Sequence, residues 1–316
     1  MKRDGVWIDV LTGSLDSAVS ATPISAAHMF STGRGVPGYG GPAWDAYGFA
    51  SPLTWIGDGQ IAFLFGDAQD TRQVVTVGLK RRTVQFETKS PTQIYAFDMA
   101  SGDTLVYLAG LSKPTKKPLP TGGFVVPERT NAMAIIAGYL DGSTADTRAA
   151  NAVWFVKRSG ESAERVAFEG GRNDGWYPQL QHVSIAPDGD HAIVSAPAVT
   201  VPADWDQFAG RTEGYEEPVY RAKFAEARAD SSSAAAREVM QLYLIDTRRH
   251  TAKPMWNAIA PRGAWHTFWS PDGRRAVLTS VPIPVAEQNN GRVTVQTVVF
   301  DSRTGEHWVV PTNGHE

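Results

Sequence analysis

The chain has 316 residues, 42% of them hydrophobic and 20% charged, with a formal net charge of −3. This composition supports a folded core, is too apolar for a disordered chain, and gives no electrostatic reason to expect nucleic acid as a partner. The absence of cysteine excludes disulfides, thiolate metal sites and a cysteine nucleophile.

At the N-terminus, Met1-Lys2-Arg3 is followed by Asp4-Gly5 where the apolar core of a signal peptide should begin, so no leader is read there. No apolar run reaches the ~18 residues that a membrane span requires, so a soluble chain without membrane insertion is expected. Val6 to Gly13 then reads as a strand entering an Asp-x-x-Thr-Gly turn, in which the carboxylate can accept from turn amides and glycine closes the bend. The pattern returns at Ile94 to Gly102 and at Val298 to Gly305, more weakly at Leu242 to Arg249, and without the Asp at Val153 to Gly160. A Gly-rich stretch, Gly33 to Gly41, matches dinucleotide-loop spacing. Pro37 and Pro42 leave no helix to receive a pyrophosphate, so it reads as a long turn and no cofactor is expected.

A second unit is a hairpin. Trp265 to Trp269 runs into Ser270-Pro271-Asp272-Gly273, and Arg274 to Ser280 resumes a strand. Pro fixes φ at the first turn position and Gly closes the turn. His182 to Gly189 matches it position for position, Leu53 to Gly59 more loosely, and Val125 to Ile136 is a decayed copy. Hairpin, strand-turn unit and a further apolar strand give four strands per repeat, which predicts an all-β chain, a β-propeller of four-stranded blades. A single β-propeller domain over 1–316 is expected. It has a partial blade at 1–50, blades at about 51–110, 120–170, 176–260 and 262–311, and insertions at 67–90 and 202–240. The first insertion could form a protruding hairpin, and the second carries helix-favouring runs at Tyr220 to Arg228 and Ser232 to Met240. Either could be a functional loop or a spacer. The count is about four and a half blades, so an open ring or a piece of a longer protein is expected. Open edges make edge-mediated self-association an expectation too.

The Ser-Pro-Asp-Gly hairpin followed by a strand ending in Asp-x-x-Thr-Gly resembles the TolB-like, WD40-like (PD40) propeller repeats. Such repeats also form the N-terminal propeller of prolyl-oligopeptidase-type serine peptidases. The resemblance implies either a docking surface for a protein or peptide, or the propeller portion of a peptidase whose α/β-hydrolase domain lies elsewhere. A periplasmic location follows if the chain is a fragment or mature form of a secreted bacterial parent; otherwise the compartment stays open.

The nearest approach to a Gly-x-Ser-x-Gly nucleophile elbow is Gly160 to Glu164, which lacks the final glycine, so no catalytic residue is assigned. No metal site is assigned either. His182 and His266 occupy equivalent positions on strands expected to line the central channel, where they could contact a ligand or serve as structural hydrogen-bonding groups. The turn aspartates explain themselves structurally. Loop carboxylates such as Asp45, Asp204 and Glu216 keep a carbohydrate-active enzyme as a weaker alternative. Trp55 and Trp269 fall at matching positions and are expected between blades. Trp176, Tyr177, Trp205 and Tyr215 fall in connections and are expected to form an exposed aromatic interface.

Overall fold

The structure is a computed structural model and describes residues 54–57, 59–66, 71–78, 83–111, 152–170, 183–209, 217–261, 266–283 and 294–310. The expected partial blade at 1–50 and the hairpin at 125–136 lie outside them. Among the described residues, strands form four antiparallel meanders in chain order, and no helix is long and apolar enough to cross a membrane.

The first sheet has the order β1 (Thr54–Ile56), β2 (Gln60–Gly66), β3 (Arg72–Gly78) and β4 (Thr83–Phe86). This corrects the expected blade at 51–110. β3 and β4, which fall within the expected insertion 67–90, supply the third and fourth strands of this sheet. Val74, Val75 and Val77 are fully buried in β3, and a strand with apolar residues on both faces belongs inside a stack rather than on a projecting hairpin.

The second sheet therefore starts earlier than expected. Its order is β5 (Ile94–Met99), β6 (Leu105–Gly110), β7 (Ala152–Lys157) and β8 (Glu164–Arg165). Ile94 to Asp98, read as a third strand, is thus a first strand. By compactness the chain divides into two units. One comprises 1–95, 108–153 and 174–178; the other comprises 96–107, 154–173 and 179–316.

The second unit holds the third and fourth sheets. The third runs β10 (Val183–Ile185), β11 (His191–Pro197), β12 (Met240–Asp246) and β13 (Thr251–Ile259). A short fifth strand, β9 (Ala167–Phe168), lies parallel on the outer edge of β13. The fourth sheet runs β14 (Thr267–Trp269), β15 (Arg275–Ile283), β16 (Thr294–Asp301) and β17 (His307–Val309).

The insertion between β11 and β12 is helical, as its sequence predicts. A 3-10 segment, Ala203–Phe208, precedes α1 (Glu217–Ala229) and α2 (Ala234–Glu238). Tyr220, Phe224 and Ala227 fall on one face of α1 and are buried. The Ser233 hydroxyl caps α2 by accepting from the Ala236 amide. Lys223 pairs with Glu238, and Arg228 with Asp206, closing the insertion on itself.

The second, third and fourth sheets are joined through their first hairpins, by a repeated contact. The three first turns are closed alike: the amides of Asp103, Gly189 and Gly273 donate to the carbonyls of Ala100, Ala186 and Ser270. All three donors have positive φ, at 59°, 73° and 68°. Two residues before each turn stand Asp98, Ser184 and Phe268. Asp98 Oδ2 accepts from the Ile185 amide of the next sheet at 2.9 Å, and Ser184 Oγ accepts from Trp269 Nε1 of the sheet after that at 3.1 Å. Each following turn lies close against the preceding sheet, since a Cβ on Gly189 would meet Thr104, and one on Gly273 the Asp188 carboxylate. Four-stranded meanders stacked through their innermost hairpins are the β-propeller fold class.

Candidate binding face

The fourth sheet has one spent face and one free face. Register places Trp269, Ala276, Phe300 and His307 in one cross-strand row. This row meets the third sheet: Trp269 reaches Ser184, and Trp256 of β13 lies edge-on to Phe300 at 6.0 Å and 5.4 Å from the His307 ring. Ala276 and Phe300 are buried.

The alternate row holds Phe268, Val277, Val299 and Trp308, one residue from each strand. Phe268 is 59% exposed and Trp308 44% exposed, with Val295 of β16 also open at 54%. The Arg275 guanidinium lies 5.8 Å from the Trp308 ring centroid. Phe268 stands where Asp98 and Ser184 stand in the preceding sheets, both of which reach onto the next innermost strand. At the fourth sheet that seat is apolar and solvent-exposed. Val277 and Val299, between Phe268 and Trp308, are half-buried, and an apolar row with open aromatics at both ends has the composition of a protein interface core rather than of ordinary surface.

Several residues singled out from sequence fall elsewhere. His266 is exposed at the entry to β14; its amide donates to Thr279 Oγ1 at 3.1 Å and its ring lies 6.0 Å from Phe268. Its expected counterpart His182 lies outside the described residues, as do Trp176, Tyr177 and Tyr215. Trp205 is a correction: it is fully buried, not exposed. Its indole N–H donates to Asn257 Oδ1 at 2.7 Å and its ring meets Phe208 edge-on, so it anchors the insertion to β13. Trp55 is the converse, 58% exposed where burial between blades was expected.

The turn carboxylates also separate. Asp246 and Asp301 each accept from two amides of their own turn, Arg248 with Arg249 and Arg303 with Thr304. The amide of Thr304 foremost, with Arg303 and the Arg274 guanidinium, holds Asp301 below the usual carboxylate range. Asp190 is held low chiefly by Arg248, with Arg158 behind it. Asp98 spends its oxygens on Met99 and Ile185 amides instead, and burial pushes it up to about 6. No group of three or more His, Asp or Glu suited to a metal occurs among the described residues.

Neither a family model nor a curated protein matches the sequence. Solved structures similar in fold include TolB from Acinetobacter baumannii, at 12% identity and a TM-score of 0.38, over 82% of this chain and 43% of that one. The acylaminoacyl peptidase of Pyrococcus horikoshii is similar at 14% identity and a TM-score of 0.38, over 79% of this chain and 30% of the peptidase. The β-propeller domain of the Trilobed protease from Pyrococcus furiosus is similar at 11% identity and a TM-score of 0.38, over 82% and 57%. The chain thus spans less than two thirds of the length of each.

Proposed function

We propose that this chain is a non-catalytic β-propeller module that binds a polypeptide partner through the free face of its fourth sheet. The observation carrying this reading is the row Phe268–Val277–Val299–Trp308, whose two end aromatics are exposed while the valines between them are half-buried. Burying two such aromatics is worth several kcal/mol, enough to anchor a specific interface. The second and third sheets each use the equivalent position to hold the sheet that follows, so the favoured occupant is another β-structured polypeptide with an apolar face. Phe268 in place of a hydrogen-bonding Asp or Ser fits a partner held by packing rather than by polar links.

The test is a photo-crosslinking phenylalanine analogue at position 268, with the same analogue at exposed Arg248 as control, in the cells that make the protein. A discrete adduct at 268 that is absent at 248 is the expected result, and its mass tells a second copy from a different polypeptide. No adduct at 268, or the same adducts at both positions, overturns the proposal.

A further inference from the structure

A cleft of about 690 Å³ opens at the outer rim of the third sheet, away from the row described above. Its floor follows from register. His191, Asp246, Thr251 and Ala167 are consecutive cross-strand partners on one face, and Leu244 pairs with Lys253 one row along. Phe168, Leu244 and Ala252 give the cleft a buried apolar base, while Ser302 and Arg303 close it from the β16–β17 turn of the fourth sheet.

The charges around this cleft are unequal in how far the fold uses them. Asp246 is committed to the amides of Arg248 and Arg249. Arg249 reaches it only at 3.8 Å and is otherwise exposed. The side chains of Lys253 and Arg303 are exposed and make no ion pair among the described residues. Nδ1 of His191 is buried with no hydrogen-bond partner among them either, an unspent polar atom in the cleft wall. Against three cations and an imidazole, the one carboxylate left uncommitted is Glu169, exposed at the mouth.

From this we infer a second binding site, one that takes an oxyanion, carboxylate or phosphate, between Lys253, Arg249 and Arg303 with His191 behind it. Guanidinium groups present paired donors that suit such anions, and the apolar floor accommodates a short carbon skeleton attached to the charge. The volume suits a ligand the size of a tricarboxylate or a short acidic peptide segment.

The experiment titrates the whole chain with inorganic phosphate, citrate and an acetylated, amidated Glu-Asp-Glu peptide, each to about 10 mM, a range that reads dissociation constants near 1 mM. Isothermal calorimetry and the His191 ring resonances are followed together. Binding of at least one probe is expected, with a shift of the His191 resonances and at least tenfold weakening in the double variant Lys253→Ala/Arg303→Ala. Glu169→Gln should tighten binding about two- to threefold by removing the opposing charge. Binding of phosphate and citrate alike assigns the site to free oxyanions; binding of the peptide alone assigns it to acidic protein segments. No binding of any probe, or binding indifferent to the double variant and to Glu169→Gln, overturns the inference. All three substitutions are at exposed positions, and circular dichroism of each variant verifies the fold. Crosslinking at Phe268 reads a different surface, so either site can fail alone.

Discussion

Asp98 Oδ2 accepts the amide of Ile185 at 2.9 Å, so a carboxylate on the first strand of one sheet ties down the first strand of the next. Burial opposes its charge and raises it to about 6, even though two amides favour ionisation. The folded protein therefore keeps this proton to a higher pH than the unfolded chain, whose carboxylate has the ordinary value of 3.8. The contribution is fully present below the unfolded value and is lost as pH rises through 6.

Asp98→Asn should abolish that loss. Urea unfolding at pH 4 and at pH 7.5 should show the variant gaining on the wild type by about 2 kcal/mol as pH rises, since each tenfold difference in proton affinity between folded and unfolded chain is worth about 1.4 kcal/mol and a small part is already lost at pH 4. Parallel pH profiles would count against the assignment. Asp190 and Asp301 are displaced the other way, so their contribution is present above the ordinary carboxylate value and lost on acidification. Comparing wild type with one variant separates the opposing slopes.

Gly273→Ala should destabilise by about 2 kcal/mol, because an alanine at φ 68° is strained and its Cβ runs into Asp188. Adding Asp188→Ala should relieve the collision and leave the backbone strain. A double-mutant cycle with additive losses would show that the two residues do not meet.

Trp205→Ala should cost about 3–5 kcal/mol, the range for deleting a large buried aromatic. Trp205→Phe should cost about 1 kcal/mol beyond its packing loss, through the broken bond to Asn257. Hydrogen exchange in β13 near Asn257 should accelerate in both variants. Unchanged protection there would detach the insertion from the role given to it.

Phe268→Ser with Trp308→Ser should leave the melting temperature nearly unchanged, since neither side chain is buried within the chain. If the wild type associates with itself through this face, light scattering should show concentration-dependent mass that the double variant lacks. Equal concentration-dependent mass in both proteins would instead point to an open sheet edge, such as the outer side of β17, which pairs with no further strand among the described residues.

Much of this fold is legible in the chain. Ser270-Pro271-Asp272-Gly273 and its match at Ala186-Pro187-Asp188-Gly189 sit where the turn chemistry puts them, and the helices fall within the expected insertion. Sheet membership is harder to read, because Asp98 looks like Asp301 in sequence while its carboxylate serves a neighbouring strand rather than its own turn. Trp205 and Trp55 show why exposure is not legible residue by residue: each depends on what the chain folds against it. The apolar face has a weak signal, since Val298-Val299-Phe300 is apolar on both sides of β16 and therefore asks for cover on both. The oxyanion cleft has none, its charged groups being spread from Glu169 to Arg303.

The parallel pairing of Ala167 and Phe168 with Thr251 and Ala252 imposes an order on assembly. Each residue of β9 pairs with one 84 positions further along the chain, so β9 leaves the ribosome well before its partner strand is made. β9 can join the third sheet only once β13 is made, so the edge it covers is completed by a segment synthesised before every other strand of that sheet.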